Sequence, residues 1–141
     1  MVDFVGAGCG AKDLITIRGL KLIQQADVII YAGSLVNPEL LEYAKPGCEI
    51  HNSALMTLDE VISVMSAAES AGKRIVRLHT GDPSLYGAIR EQMSRLDGLG
   101  ISYAVCPGVS SFCGAAAALR AEYTLPSVSQ TVIITRMAGR T

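Results

Sequence analysis

The chain is 141 residues long, half of it hydrophobic, with twelve Lys and Arg against thirteen Asp and Glu for a net charge of −1. That length suits one domain with a sizeable core, and near-neutrality removes any global electrostatic case for binding nucleic acid or an anionic membrane. Cys9, Cys48, Cys106 and Cys113 have no C-x-x-C spacing, so neither zinc nor a disulfide framework is expected; with no secretory signal at its start, the chain reads as cytoplasmic with reduced thiols.

Residues 2–7 are a short apolar run ending in Gly6-Ala7-Gly8-Cys9-Gly10, and an apolar-periodic segment follows at 14–24. That is strand, glycine loop, helix. Residues 26–32 are near-continuously apolar, as in a strand covered on both faces, and Asn37-Pro38-Glu39 starts a short helix with a cap residue and a proline at its first position. Pro46-Gly47 then precedes a brief strand at 48–51. Thr57 and Glu60 form a capping box, with Leu58, Val61, Ile62 and Met65 at helical spacing up to Gly72. Residues 74–78 read as a buried strand that Gly81-Asp82-Pro83 stops. A helix is expected over about 87–96, with Arg90, Glu91 and Arg95 on its solvated face.

The uncharged stretch 99–119 is interrupted by Gly100, Pro107, Gly108 and Gly114. It predicts a fifth strand at 101–105, a Pro-Gly turn and an alanine-rich helix at 110–119, not a membrane span. The alternation predicts an α/β fold, a five-stranded parallel sheet with helices on both faces. Residues 131–135 (Thr-Val-Ile-Ile-Thr) read as a further strand close to the last residue, Thr141. The expected division is an amino-terminal α/β domain at 1–129, then a linker and the first strand of a second domain at 130–141.

In a parallel α/β sheet small ligands bind at the carboxyl ends of the strands, so the loops there are the first place to look for chemistry. Gly6-x-Gly8-x-x-Ala11 fits the loose dinucleotide fingerprint. That fingerprint also expects an acidic residue about 20 positions on, at the end of the second strand. Tyr31-Ala32-Gly33 stands there, and Asp27 is at the wrong end of the strand. A nucleotide-binding module without chemistry is thus the weaker reading. Gly81-Asp82-Pro83 taken alone reads first as a plain strand-to-helix turn.

Three loops taken together, at 6–10, 81–83 and Pro107-Gly108-Val109-Ser110-Ser111, carry a resemblance to the tetrapyrrole methylase family. Within it, the runs Tyr31-Ala32-Gly33-Ser34-Leu35-Val36-Asn37-Pro38-Glu39-Leu40-Leu41 and Thr124-Leu125-Pro126-Ser127-Val128-Ser129-Gln130-Thr131-Val132-Ile133 resemble the precorrin-4 / cobalt-precorrin-4 C11-methyltransferases. The resemblance covers the amino-terminal half of such an enzyme. It implies methyl transfer from S-adenosyl-L-methionine, held in a cleft between two domains, to a tetrapyrrole in corrin synthesis, by a homodimer. A sibling methylase acting on another ring carbon is the nearest alternative. Carried over position by position, the cofactor contacts are Cys9, Gly81, Asp82, Leu85, Ser110 and Ser111. No catalytic base is implied, and no metal.

One loop departs from the family. Where its members usually read Gly-Pro-Gly-Asp, this chain has Gly8-Cys9-Gly10-Ala11, so any role of that acid is unassigned and Cys9 reads as a packing residue whose backbone lies near the cofactor. Asp82 is expected either to bond the ligand or to brace its own turn, Ser110 to contact the ligand or to cap the last helix. Substrates of this pathway bear many carboxylates, which guanidinium groups bind bidentately. Arg18, Arg90, Arg120 and Arg136 are the candidate clamps, while His51 and His79 read as structural.

Overall fold

The computed structural model describes residues 1–136. Five strands, β1 (Val2–Gly6), β2 (Val28–Tyr31), β3 (Glu49–Asn52), β4 (Ile75–His79) and β5 (Tyr103–Cys106), form one sheet in the order β3-β2-β4-β1-β5. Every pairing in it is parallel. Four helices accompany them, α1 (Ile17–Gln25), α2 (Leu58–Ser70), α3 (Ile89–Gly98) and α4 (Ser111–Leu119). The predicted sheet with helices on both faces is therefore present.

Both faces of the central strands are covered, which is why β2 is apolar without alternation and β4 is buried along its whole length. On one face Phe4, Val28, Ile30 and Ile75 join Val61 and Met65 of α2 and Leu96 of α3 in one core. On the other, Val5, Ile29, Val76 and Leu78 pack with Ile23 of α1 and Leu40. All five residues of β4 are buried, two of them polar: Arg77 and His79. The capping box of α2 is formed as read, with the Glu60 N–H on the Thr57 hydroxyl at 3.3 Å and the Thr57 N–H on the Glu60 carboxylate at 2.6 Å.

Element boundaries differ from the sequence reading for local reasons. The first helix begins at Ile17 because Thr16 caps it, accepting the Gly19 N–H at 3.0 Å. The segment Pro38–Tyr43 is a 3-10 helix. The helix expected from 87 starts at Ile89, since Tyr86 and Ala88 hold φ of 56° and 51°, a left-handed backbone that a right-handed helix cannot contain.

The strand expected at 131–135 is not formed among the described residues. β-propensity needs a partner ladder to become a strand, and here Ile133 is 82% exposed. The segment instead runs past the loop after β4. Tyr86 donates its hydroxyl to the Ile134 carbonyl at 3.5 Å, and the Arg136 guanidinium lies 5.7 Å from the Tyr86 ring centroid.

Candidate functional site

Strands β4, β1 and β5 are neighbours, so the loops leaving their carboxyl ends meet. The Ala7 N–H donates to the His79 carbonyl at 2.7 Å, and Gly8 and Gly81 exchange both backbone bonds, at 3.3 and 2.8 Å. Contact is close enough to demand glycine. A Cβ on Gly6 would lie 2.5 Å from the Gly81 carbonyl oxygen, and one on Gly108 would lie 2.2 Å from the same atom.

Asp82 ties the second loop to the third. One carboxylate oxygen accepts the Gly108 N–H at 3.0 Å, while the other accepts the Ser84 N–H at 2.8 Å and the Ser84 hydroxyl. Burial pushes its pKa up, but the bonds from the Ser84 hydroxyl, the Gly108 N–H and the Ser84 N–H outweigh it and hold the carboxyl below its ordinary value. These three bonds to the loops are the bracing role. Asp82→Ala strips the Gly108 N–H of its partner and is expected to cost about 1–3 kcal/mol in urea unfolding. Asp82→Asn, which keeps an acceptor oxygen, should lose less than half of that; equal losses would count against the bracing role.

The second and third loops line a cleft of about 570 Å³, within the ~300–1,000 Å³ usual for small-molecule sites. Gly81, Asp82, Leu85, Ser110 and Ser111 all line it. Cys9 does not. Its side chain sits against α4, where a Cβ on Gly114 would come within 2.6 Å of the Cys9 sulfur, so the cysteine joins the first loop to that helix. Ser110 holds the N-cap position of α4, but its side chain makes no cap bond. Of the four candidate clamps, Arg136 lines the cleft and Arg18, Arg90 and Arg120 do not. His51 lies on β3 with Glu49 at 2.8 Å, away from the cleft. A wider groove of about 840 Å³ between α2 and α3 shares no lining residue with this cleft and holds none of the loop residues.

Sequence reasoning passed over Arg77 and Gln92, which line the cleft from β4 and α3, and read His79 beside them as structural. Arg77 is 7% exposed and donates from Nε to the Gln92 side-chain oxygen at 3.0 Å and from Nη1 to the Ile30 carbonyl at 3.2 Å. Burial lowers its pKa to about 10. His79 is 4% exposed and its Nε2 has no hydrogen-bond partner. Burial, helped by the charge of Arg77, pushes its pKa down to about 3, so the imidazole is neutral. A signal was available: two polar residues spaced two apart in a buried strand point to the same face. Among the described residues, no group of three His, Cys, Asp or Glu side chains is placed to hold a metal, and no helix is long and apolar enough to cross a membrane.

The family model of the tetrapyrrole (corrin/porphyrin) methylases matches residues 1–141. This chain belongs to the tetrapyrrole methylases. A cobalt-precorrin-4 C(11)-methyltransferase from Methanocaldococcus jannaschii is 61% identical over 140 residues, which is 99% of this chain and 54% of that protein. A solved cobalt precorrin-4 methyltransferase, described as a cobalamin biosynthetic enzyme, superposes with a TM-score of 0.95 at 50% identity, over 99% of this chain and 58% of that one. A uroporphyrin-III C-methyl transferase from Thermus thermophilus, solved with S-adenosyl homocysteine, matches with a TM-score of 0.76 at 27% identity, over 92% of this methylase chain and 52% of its own. The chain spans just over half the length of the curated relatives it matches.

Proposed function

We propose that this chain takes part in methyl transfer from S-adenosyl-L-methionine to C11 of precorrin-4 or cobalt-precorrin-4. The observation that carries the reading is a cleft lined by the second and third small-residue loops, both latched to the first, on a fold that superposes on a cobalt precorrin-4 methyltransferase. Tetrapyrrole methylases use S-adenosyl-L-methionine, and the residues present fit such a group. Gly81 holds φ 61°, a left-handed backbone that favours glycine, and it sets the second loop in van der Waals contact with the third, where backbone is offered to a ligand. Leu85 and Phe112 supply apolar wall, and Ser110 and Ser111 supply polar atoms, the mixture expected of a site that takes a nucleoside with a polar tail.

When bound, the cofactor supplies a methyl group already activated on a sulfonium centre. The protein's own task is then to align and to exclude water. Loops latched together by the Gly8–Gly81 exchange and by Asp82 give a fixed frame for that alignment. Cys9, directed at α4, is placed for packing and not for nucleophilic attack. The proposal includes a division near residue 129, with 130–141 leading into a second α/β domain that closes the cleft, and assembly as a homodimer.

Calorimetry separates this from the nucleotide-module reading. S-adenosylhomocysteine is expected to bind the 141-residue chain saturably, with Kd in the ~10⁻⁶–10⁻³ M range, and NADH not to bind in it. Binding of NADH in preference to S-adenosylhomocysteine would overturn the methylase reading of the cleft. NMR of the product formed with a precorrin-4 substrate by a protein carrying this chain decides the ring carbon, and a methyl elsewhere than C11 would replace the proposed substrate with that of a sibling enzyme.

A further inference from the structure

Arg77 is a charged side chain in the middle of an apolar sheet, and nothing in its surroundings neutralises it. Its partners are the Gln92 amide oxygen and the Ile30 carbonyl; none of the ion pairs among the described residues includes it. Two bonds leave Nη2 without a hydrogen bond there. A guanidinium taken out of water without a counter-charge is costly, and proteins seldom keep one unless something pairs it.

The position matters as much as the charge. Arg77, His79 and Gln92 all line the cleft, beneath the loops that Gly81 and Ser110 contribute. His79 adds an enclosed Nε2 that no protein atom satisfies, and a neutral imidazole can present an N–H beside a cation without adding a second charge. Gln92 fixes the guanidinium from one side, donating its own amide to the Ala88 carbonyl at 3.3 Å. What the three leave open is a fixed fork of N–H donors facing a cavity, the geometry that suits a planar, two-oxygen anion.

We propose that Arg77, held by Gln92 and flanked by His79, is the seat of a carboxylate of the bound ligand. The inference rests on the methylase reading of the cleft, in which two sources offer that group: the amino-acid end of the cofactor and an acid side chain of the macrocycle. Arg77 acts as a binding and orienting residue. No proton or group transfer is assigned to it.

The test compares the 141-residue chain with Arg77→Met by calorimetry against three probes. S-adenosylhomocysteine carries the amino-acid carboxylate, 5′-methylthioadenosine has the same nucleoside and sulfur without it, and uroporphyrin III is a tetrapyrrole polycarboxylate. Methionine fills the volume of the stem and removes a buried charge, a change that cores tolerate. Arg77→Gln, neutral and able to keep a bond to Gln92, serves as a second variant if the first fails to melt cooperatively. The expected result is a loss of roughly 10- to 100-fold for S-adenosylhomocysteine or for uroporphyrin III, with 5′-methylthioadenosine unchanged within about twofold. Which probe loses affinity names the source. Equal losses for all three, or none beyond about twofold, overturn the proposal and leave Arg77 a brace between β2 and α3. If the unaltered chain binds no probe, the reading of this cleft as a ligand site falls and the inference with it, whereas intact binding that is insensitive to Arg77 removes this inference alone.

Discussion

Gly108→Ala is expected to lower the melting temperature by roughly 10 °C, the equivalent of about 3 kcal/mol, and to abolish S-adenosylhomocysteine binding. Its Cβ would lie 2.2 Å from the Gly81 carbonyl oxygen and 2.8 Å from the Gly6 Cα, both backbone atoms of paired segments. Neither can yield without breaking something. Moving Gly81 breaks its exchange with Gly8, and moving Gly108 withdraws its N–H from Asp82. Gly6→Ala meets the same carbonyl at 2.5 Å and should behave alike. Gly98→Ala is the control, since nothing lies within 4 Å of that Cβ and the site closes α3. There the change should be neutral or stabilising, by up to about 1 kcal/mol. Thermal melts of the three variants, each followed with and without ligand, check the expectation; a Gly108→Ala protein as stable as Gly98→Ala would show that the loops are not locked together.

Acid is expected to weaken the fold in a window that His79 defines. Its pKa is about 3 in the folded chain against an ordinary 6.5, so between those values the unfolded chain binds a proton that the folded chain refuses. Stability is therefore complete above pH 6.5 and is lost as pH falls toward 3. At pH 5 the loss should be about 2 kcal/mol, with roughly 5 kcal/mol as the upper bound lower down. The carboxylates of Asp27, Glu49 and Glu60 are also held below their ordinary values, chiefly by the Arg74 N–H, the His51 ring and the Thr57 N–H in turn. Their contribution is lost only as pH falls below the ordinary carboxylate range, so the interval from 6.5 to 5 belongs to histidine. Urea unfolding at pH 7.5, 6 and 5 measures it. His79→Gln has no proton to take up at that position and should show a nearly flat profile over the interval; a slope equal to that of the unaltered chain would move the effect elsewhere.

Much of the scaffold was legible because its causes are local. The unbroken apolar run of β2 announces a strand covered on both faces, and Thr57 with Glu60 three residues on announces the start of α2. Boundaries were less so. Nothing in the sequence marks Tyr86 and Ala88 for a left-handed backbone, which delays α3, because neither is a residue that prefers it. Residues 131–135 have the composition of a strand, but a strand exists only in its pairing, and no ladder among the described residues accepts them.

The candidate site divides along the same line. That Gly6, Gly81 and Gly108 stand at the carboxyl ends of strands follows from glycine closing each apolar run, and Asp82 after glycine already suggests an Asx brace. The chain alone thus determined the elements, the loops and the family, all encoded in neighbours along the sequence. Only the tertiary structure decided that the three glycines touch, since this requires β4, β1 and β5 to lie side by side in the order β3-β2-β4-β1-β5. It also turned Cys9 toward Gly114 and out of the cleft. Arg77 donates to the Ile30 carbonyl, 47 positions away, and to the Gln92 side chain on α3. Burial and charge compensation are sums over such distant neighbours, so the buried charge of Arg77 at the cleft could be recognised only once the chain had folded around it.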